Sequence, residues 1–342
     1  MSLAHESTAK KIKAFCAKIG TDPLLVQGAG GNVSWKDNSV LWIKASGMWL
    51  ADAATKEIFV PLDLKHLQSL VASQDFSVLP RPVGASKLRP SIETFLHALM
   101  PHRIVVHLHS IEILAHLVRP NSRLLLEELL GDSINHECIE YFKPGPELAL
   151  SVSNVLQKNP SVDVVFMQNH GVVIGGEKIE EIEEILFEIN RRLSLRPNYD
   201  LNASIIFPVP EYHKAVYSPL ADAGIPLLAT EPSLYHRVQT EWCLYPDHVV
   251  FLGVKPCLYE TWEMLEKDCG AEKKYPELIF IKGKGVYKTS QFSSSQHVQL
   301  RCYLDVLVRQ QAHSNLCSMS DSQVLELVGW DAETYRQNQV RF

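Results

Sequence analysis

The chain has 342 residues, 46% hydrophobic and 21% charged, the balance of a globular protein with a sizeable core and a length that suits two domains. Its formal net charge of −6 offers no general electrostatic footprint for nucleic acid or an anionic membrane, so neither is expected as a partner, while a local basic pocket for an anionic metabolite stays compatible. Seven cysteines, odd in number and without a C-x-x-C pair, argue against both a disulfide framework and a cysteine-rich zinc module.

The opening MSLAHESTAKKIKAF is amphipathic rather than the charged and apolar regions of a signal peptide, and no apolar run approaches the roughly 20 residues that span a bilayer. A cytoplasmic protein is expected. Ile12, Phe15, Cys16 and Ile19 recur at three and four, predicting a helix over 7–19 with one buried stripe. After the Gly-rich turn GAGGN (28–32), VSWKD and SVLWIKAS alternate as a hairpin around Asp37-Asn38, and FVPLDL (59–64) reads as a short strand. Asp63 then caps a helix, LKHLQSLVAS, and a Pro-rich loop follows. Ser91 is read as the N-cap of a helix running to Met100, with Glu93 in its first turn.

The run RIVVHLH (103–109) predicts a strand, SIEILAHLV, RLLLEELL and PGPELALSVSNVLQ predict helices, and VDVVFMQNHGVVIGG predicts two buried strands meeting at Asn169-His170-Gly171. EKIEEIEEILFEINRRLSL (177–195) is an amphipathic helix. RPNYDLNAS reads as a linker; beyond it CLYPDHVVFLGV and LIFIKGKGVYKTS are expected as strand pairs and VQLRCYLDVLVRQQ as a helix. The domain boundary is therefore placed between 205 and 206, giving domains 1–205 and 206–342.

Alternation along a strand puts His107 and His109 on one face and Leu108 on the other, so the H-x-H pair forms a two-nitrogen claw. A third imidazole would complete the three-ligand set that catalytic zinc uses, and His170, at a strand end between apolar runs, is the candidate. The plain alternative for N-H-G is a backbone device in which Gly171 supplies permissive dihedrals. Glu93 is either a first-turn carboxylate favoured by the helix dipole or, beside a metal, a ligand or proton-transfer base. GAGGN matches neither dinucleotide nor P-loop spacing; with Asn32, Ser46 and Gly47 its backbone N–H groups either cradle an anion or serve only a tight approach of the chain. His136-Glu137-Cys138 is an isolated H-x-C spacing, read as structural.

GAGGNVSW, KASG, PSIE, VVHLH and QNHGVVIGG occur in that order over roughly residues 7–200, and the ensemble resembles the class II aldolase/adducin family of fuculose-phosphate and rhamnulose-phosphate aldolases and ribulose-phosphate 4-epimerase. The resemblance implies an α/β fold in three layers, α/β/α, with a central, mostly antiparallel sheet, followed here by a smaller C-terminal α/β domain. It implies a zinc ion, or Mn2+, Co2+ or Fe2+ in its place, on His107, His109 and His170, with Glu93 as the catalytic carboxylate. Gly31, Asn32, Ser46, Gly47 and Ser91 then fall in the substrate-phosphate pocket, and Tyr141 and Lys143 in a segment that lines the substrate end. The implied activity is a metal-dependent aldehyde-lyase acting on a phosphorylated keto sugar through an enediolate, in a homo-oligomer, tetramer or dimer. A sugar-phosphate epimerase or decarboxylase on the same scaffold is the near alternative, and a non-catalytic adducin-like binding protein the distant one. In one respect the chain departs from the fuculose-type pattern: residues 110–133 contain no tyrosine to act as proton donor. In a second, residues 206–342 are added, like the extension of longer rhamnulose-phosphate aldolase-related proteins.

Overall fold

The computed structural model describes residues 3–203, 205–269, 274–332 and 334–335. They fall into two units: residues up to Ser194 together with those from Leu325 onward, and Leu195–Val324. The first unit contains α1 (Leu3–Gly20), β1 (Asn32–Asp37), β2 (Val40–Lys44), β3 (Phe59–Asp63), α2 (Leu64–Ala72), α3 (Thr94–Leu99), β4 (Ile104–Leu108), α4 (Ile111–Leu117), α5 (Ser122–Leu130), β5 (His136–Ile139), α6 (Pro146–Lys158), β6 (Val164–Met167), β7 (Gly171–Gly176) and α7 (Ile179–Leu193).

Its strands form one sheet in the order β3-β2-β1-β4-β7-β6-β5, antiparallel at every pair except β5–β6. Alternation divides the apolar side chains between two faces. Val33, Trp35, Ile104, Val106, Leu108, Val172 and Ile174 pack beneath α1, α4, α5 and α7, whose buried stripes include Ile12, Ile113, Leu126 and Ile182. On the opposite face Leu41, Ile43, Val60 and Leu62 meet α2, while Val105, Val165 and Val173 meet Leu96 of α3 and Leu148 and Val152 of α6. Three layers result, α/β/α, as expected.

The pairing directions also bring five chain segments to one end of the sheet: the start of β1, the ends of β2, β4 and β5, and the β6–β7 turn. GAGGN, KASG, His109, the segment 140–145 and Asn169-His170 therefore share one edge.

Two local expectations change. The helix expected from Ser91 begins at Thr94, with Glu93 at its cap. Ser91 instead closes a tight turn before it, its carbonyl accepting from the Thr94 N–H (3.1 Å) and hydroxyl (2.6 Å), and its Oγ from the Glu93 N–H (3.2 Å). His136–Ile139, read as structural without an element assigned, is the edge strand β5, where the His136 ring lies edge-on to Phe166 and Nδ1 bonds to the Ile134 carbonyl.

The second unit carries β8 (Ser218–Pro219), α8 (Leu227–Thr230), α9 (Pro232–Thr240), α10 (Pro246–Leu252), β9 (Leu258–Tyr259), α11 (Trp262–Cys269), β10 (Leu278–Ile281), β11 (Gly285–Lys288) and α12 (Ser294–Leu307), with a four-stranded sheet ordered β8-β11-β10-β9. LIFIKGKGVYKTS is the β10–β11 hairpin, and α12 opens on a capping box of Ser293 and Gln296. CLYPDHVVFLGV, expected as strands, is the helix α10: Pro246 occupies the first helical position and Asp247 the first turn, both start signals that override a short apolar run. His248 on α10 is fully buried with its ring 4.3 Å from Trp242 and 4.6 Å from Tyr303, and neither ring nitrogen has a hydrogen-bond partner among the described residues. Burial pushes its pKa down to about 3.

The boundary lies at 194/195 rather than 205/206 because the expected linker packs on the second unit: Asn198 bonds to the carbonyls of Val308 and Gln310, and Tyr199 to Ser233. After α13 (Asp321–Leu327) the chain is again part of the first unit, where Trp330 lies under the Lys143 ammonium (4.7 Å) and Tyr335 under the Arg89 guanidinium (5.4 Å). No described helix is long and apolar enough to cross a membrane.

Candidate metal centre

His107 is the penultimate residue of β4 and His109 directly follows the strand, so Leu108 between them turns into the opposite core layer. The His107 Nδ1–H donates to the Val172 carbonyl on β7 at 3.0 Å, an acceptor-only group that fixes the tautomer and leaves Nε2 with its lone pair directed into the site. That Nε2 stands 3.0 Å from His109 Nε2, and His170 completes a set whose ligand atoms all lie within 4.8 Å of one another. All three rings are buried. Burial, acting against the attraction of Glu93, lowers the His107 pKa to about 3, so the imidazole is neutral and available as a ligand. Three imidazoles at this spacing suit a divalent ion of the zinc class, and no other group of three His, Cys, Asp or Glu side chains among the described residues comes together in this way.

His170 is delivered by the β6–β7 turn, and Gly171 explains how closely. A Cβ there would stand 2.4 Å from the Leu108 carbonyl oxygen, 3.1 Å from the His109 ring and 3.3 Å from the His107 ring. The N-H-G sequence is thus both a backbone device and the support that presses the third imidazole against the other two. Gly31 does the same from the other side: φ is +63°, and a Cβ would meet the His107 carbonyl oxygen at 2.9 Å.

Glu93 enters from the start of α3. Its Oε1 lies 3.1 Å from His170 Nε2 and its Oε2 3.6 Å from His107 Nε2, while Asn32 donates its amide to Oε2 at 2.7 Å. Burial opposes ionisation of the carboxyl, and the surrounding imidazoles, His107 foremost, outweigh it and hold Glu93 below the usual carboxylate range. Asn32, expected in the phosphate pocket, therefore commits one N–H to Glu93.

The remaining pocket candidates meet around a residue that the sequence did not single out. Lys44 is 1% exposed at the end of β2; its ammonium donates to the carbonyls of Ala29 (3.0 Å) and Met48 (2.6 Å), and its own carbonyl accepts from the Ser91 N–H (3.2 Å). Ser46 N–H donates to the Arg89 carbonyl, and Gly47 has φ +79°. Gly30 N–H, one of the expected anion donors, is taken by the Gln27 carbonyl. The only sequence signal for Lys44 is a charge inside the apolar alternation VLWIKAS.

Residues 10–195 match the family model of the class II aldolase and adducin N-terminal domain. The chain belongs to the class II aldolase and adducin family. Of curated relatives, the L-fuculose phosphate aldolase of Methanococcus maripaludis is 27% identical over 180 residues, 49% of this chain and 86% of that protein. The uncharacterized oxidoreductase YuxG of Bacillus subtilis is 26% identical over 215 residues, 56% of this chain, and the match spans 31% of YuxG. Among solved structures, the N-terminal class II aldolase domain of a conserved protein from Thermoplasma acidophilum is similar at 27% identity, covering 53% of this chain and 90% of that one with a TM-score of 0.45.

In this family member the two further pocket candidates sit after β5, at the sheet end that carries His170. Tyr141 is half-buried there, and Lys143 directs its ammonium at the Trp330 ring.

Proposed function

We propose that this class II aldolase family member is a divalent-metal-dependent aldehyde-lyase acting on a phosphorylated keto sugar. The observation that carries the reading is one buried carboxylate, Glu93, held against two imidazoles of a three-histidine cluster and oriented by Asn32. Zinc or a similar divalent ion on His107, His109 and His170 would supply a Lewis acid that polarises the ketose carbonyl and stabilises the charge left on the substrate oxygens when a carbon–carbon bond breaks. The three histidines are buried together and would hold the ion in place. Glu93 is ionised and takes a proton from the carbon or hydroxyl of a substrate seated beside His170, returning it in the reverse step. Gly31, Ser46, Gly47 and Ser91 hold the phosphate end, so that the reacting carbons are placed against the histidines.

One observation favours a second reading. In the condensation direction the aldehyde oxygen takes up a proton as the new bond forms, and residues 110–133 have no tyrosine to give it. A decarboxylation makes no such demand, so a decarboxylase on the same scaffold stands second.

Incubation with a panel of ketose phosphates, with released aldehyde trapped and carbon dioxide measured, separates the two. Near one equivalent of divalent ion per chain is expected, lost in the double variant His107→Ala/His109→Ala. Glu93→Gln is expected to keep the ion and lose roughly 10²–10⁴ in kcat. A wild-type chain that binds no divalent ion, or an unaffected Glu93→Gln, overturns the reading.

A further inference from the structure

Alternation along β1 puts Asn32, Ser34 and Lys36 on one face, and the helical period puts residues 93, 97 and 100 on one side of α3 and its caps. The two rows meet. Asn32 donates to Glu93 Oε2 (2.7 Å), Ser34 Oγ and His97 Nδ1 share a hydrogen bond of 2.9 Å, and the Lys36 ammonium donates to the Met100 carbonyl. Four helical residues rise about 6 Å and two strand residues about 6.6 Å, so successive rungs match and a polar seam runs from the histidine cluster along β1. The first two rungs stand beside β4 as well, because Asn32 is the cross-strand partner of His107 and Ser34 that of Val105. With six residues and no side-chain bond from its N-cap, Glu93, α3 does not hold its own position. Its apolar contacts, Phe95 against Phe76 and Leu96 in the cluster of Leu148 and Val152, are non-directional and tolerate a small slide or rotation. Hydrogen bonds of fixed length and angle do not. His97 is the middle rung, fully buried and one turn after Glu93; burial pushes its pKa down to about 4 against the pull of Glu93, so the ring is neutral and bonds to a hydroxyl rather than pairing as an ion.

We propose that His97 is the positioning residue for the Glu93 carboxylate: its bond to Ser34 fixes the rotation and axial setting of α3 on β1, so that Oε1 and Oε2 stand 3.1 Å from His170 and 3.6 Å from His107. The inference rests on the proposed role of Glu93 in proton transfer and goes beyond it by assigning the placement of that carboxylate to a side chain one helical turn behind it. Asn32 orients one oxygen of the carboxylate, whereas His97 sets the backbone from which the carboxylate extends. Its loss therefore displaces the base without removing any of the three clustered imidazoles.

The test uses the metal-loaded full chain and the ketose phosphate that the panel shows to be turned over. His97→Phe keeps a ring in the same space and removes the bond, and Ser34→Ala removes it from the other side, which carries the comparison if His97→Phe does not fold. Each is expected to lower kcat roughly 10–10²-fold, the effect of a misplaced reacting group, with KM and metal content near wild type. His97→Asn, which keeps a hydrogen-bonding atom near the Nδ1 position, is expected to recover most of the loss. In the Glu93→Gln background His97→Phe is expected to lower kcat by less than about twofold further, because the base it places is already gone. Full additivity there overturns the proposal, and so does a loss shared by KM and metal content, the mark of general packing, or kcat within about twofold of wild type in a folded variant. A second arm needs no substrate. In denaturant unfolding of the metal-free chain, His97→Phe and Glu93→Gln are expected to be coupled by about threefold or more in the unfolding constant, and additive effects overturn the inference. A chain that turns over no ketose phosphate yet shows this coupling overturns the sugar-phosphate reading and supports the placement of Glu93 by His97.

Discussion

A methyl group at position 171 would sit 2.4 Å from the Leu108 carbonyl oxygen, with the His107 and His109 rings just behind it. Backbone cannot yield by that much without moving the end of β4, and the two imidazoles move with it. Gly171→Ala is therefore expected to cost about 1–3 kcal/mol of stability, the usual range for overpacking, and to weaken metal affinity further because the claw and His170 separate. Denaturant unfolding with and without the metal measures both; wild-type stability together with full metal retention would show that the turn has slack. At this scale the histidines were legible because alternation on a strand is a strict rule, and H-x-H expresses it directly. Glu93 was legible as a candidate but not as a role, since only the fold brings Asn32 and two imidazoles to it. Lys44 was legible only as a charge inside the apolar alternation VLWIKAS, with no role attached. Its partners are main-chain carbonyls, which every residue has, and no side-chain pattern announces them.

Among the elements, α10 shows why a short apolar run misleads. VVF fits either period, and the decisive signs are the Pro246 and Asp247 that open the helix. The helix buries His248 neutral against Trp242 and Tyr303, which makes a prediction about acid stability. Burial depresses the native pKa to about 3 from the ordinary imidazole value of 6.5, so the unfolded chain binds a proton at pH values where the native one does not. Stability then rises with pH across that window and is lost as pH falls below 6.5, by up to about 1.4 kcal/mol per unit from this residue, with no contribution above it. His248→Phe, which keeps a ring in the same box, is expected to flatten the fall between pH 6.5 and 4 relative to wild type and leave pH 7.5 stability little changed. Parallel pH slopes in denaturant titrations of the two proteins would contradict the assignment. The strand β5 escaped the sequence for a different reason: four residues at an edge, with only Ile139 buried, carry too little alternation to stand out.

On the scale of the whole molecule, the helices and strands of the first unit were legible from their periods and their three-layer arrangement only through the resemblance carried by the ordered motifs, whereas the boundary after it was not legible. RPNYDLNAS has the composition of a linker, yet Asn198 and Tyr199 bond into the second unit. The return of the chain from Leu325 onward was equally hidden, because a lone tryptophan and tyrosine near a terminus carry no period. Trp330→Ala is expected to remove the cation–π contact with Lys143, worth roughly 0.5–2 kcal/mol, and to speed amide exchange in the first turn of α6 with the second unit unaffected. Unchanged exchange there would mean that the contact contributes nothing to the order of the segment.

That return has a consequence in time. A chain synthesised from its N-terminus presents the seven strands and their helices long before Trp330 and Tyr335 exist, so the first unit emerges with the Lys143 and Arg89 faces still bare. The second unit must be made in the interval. The last contacts of the first unit thus report that the intervening sequence has been translated, and a chain interrupted before Leu325 carries the three-histidine cluster in a unit that has not received its final segment.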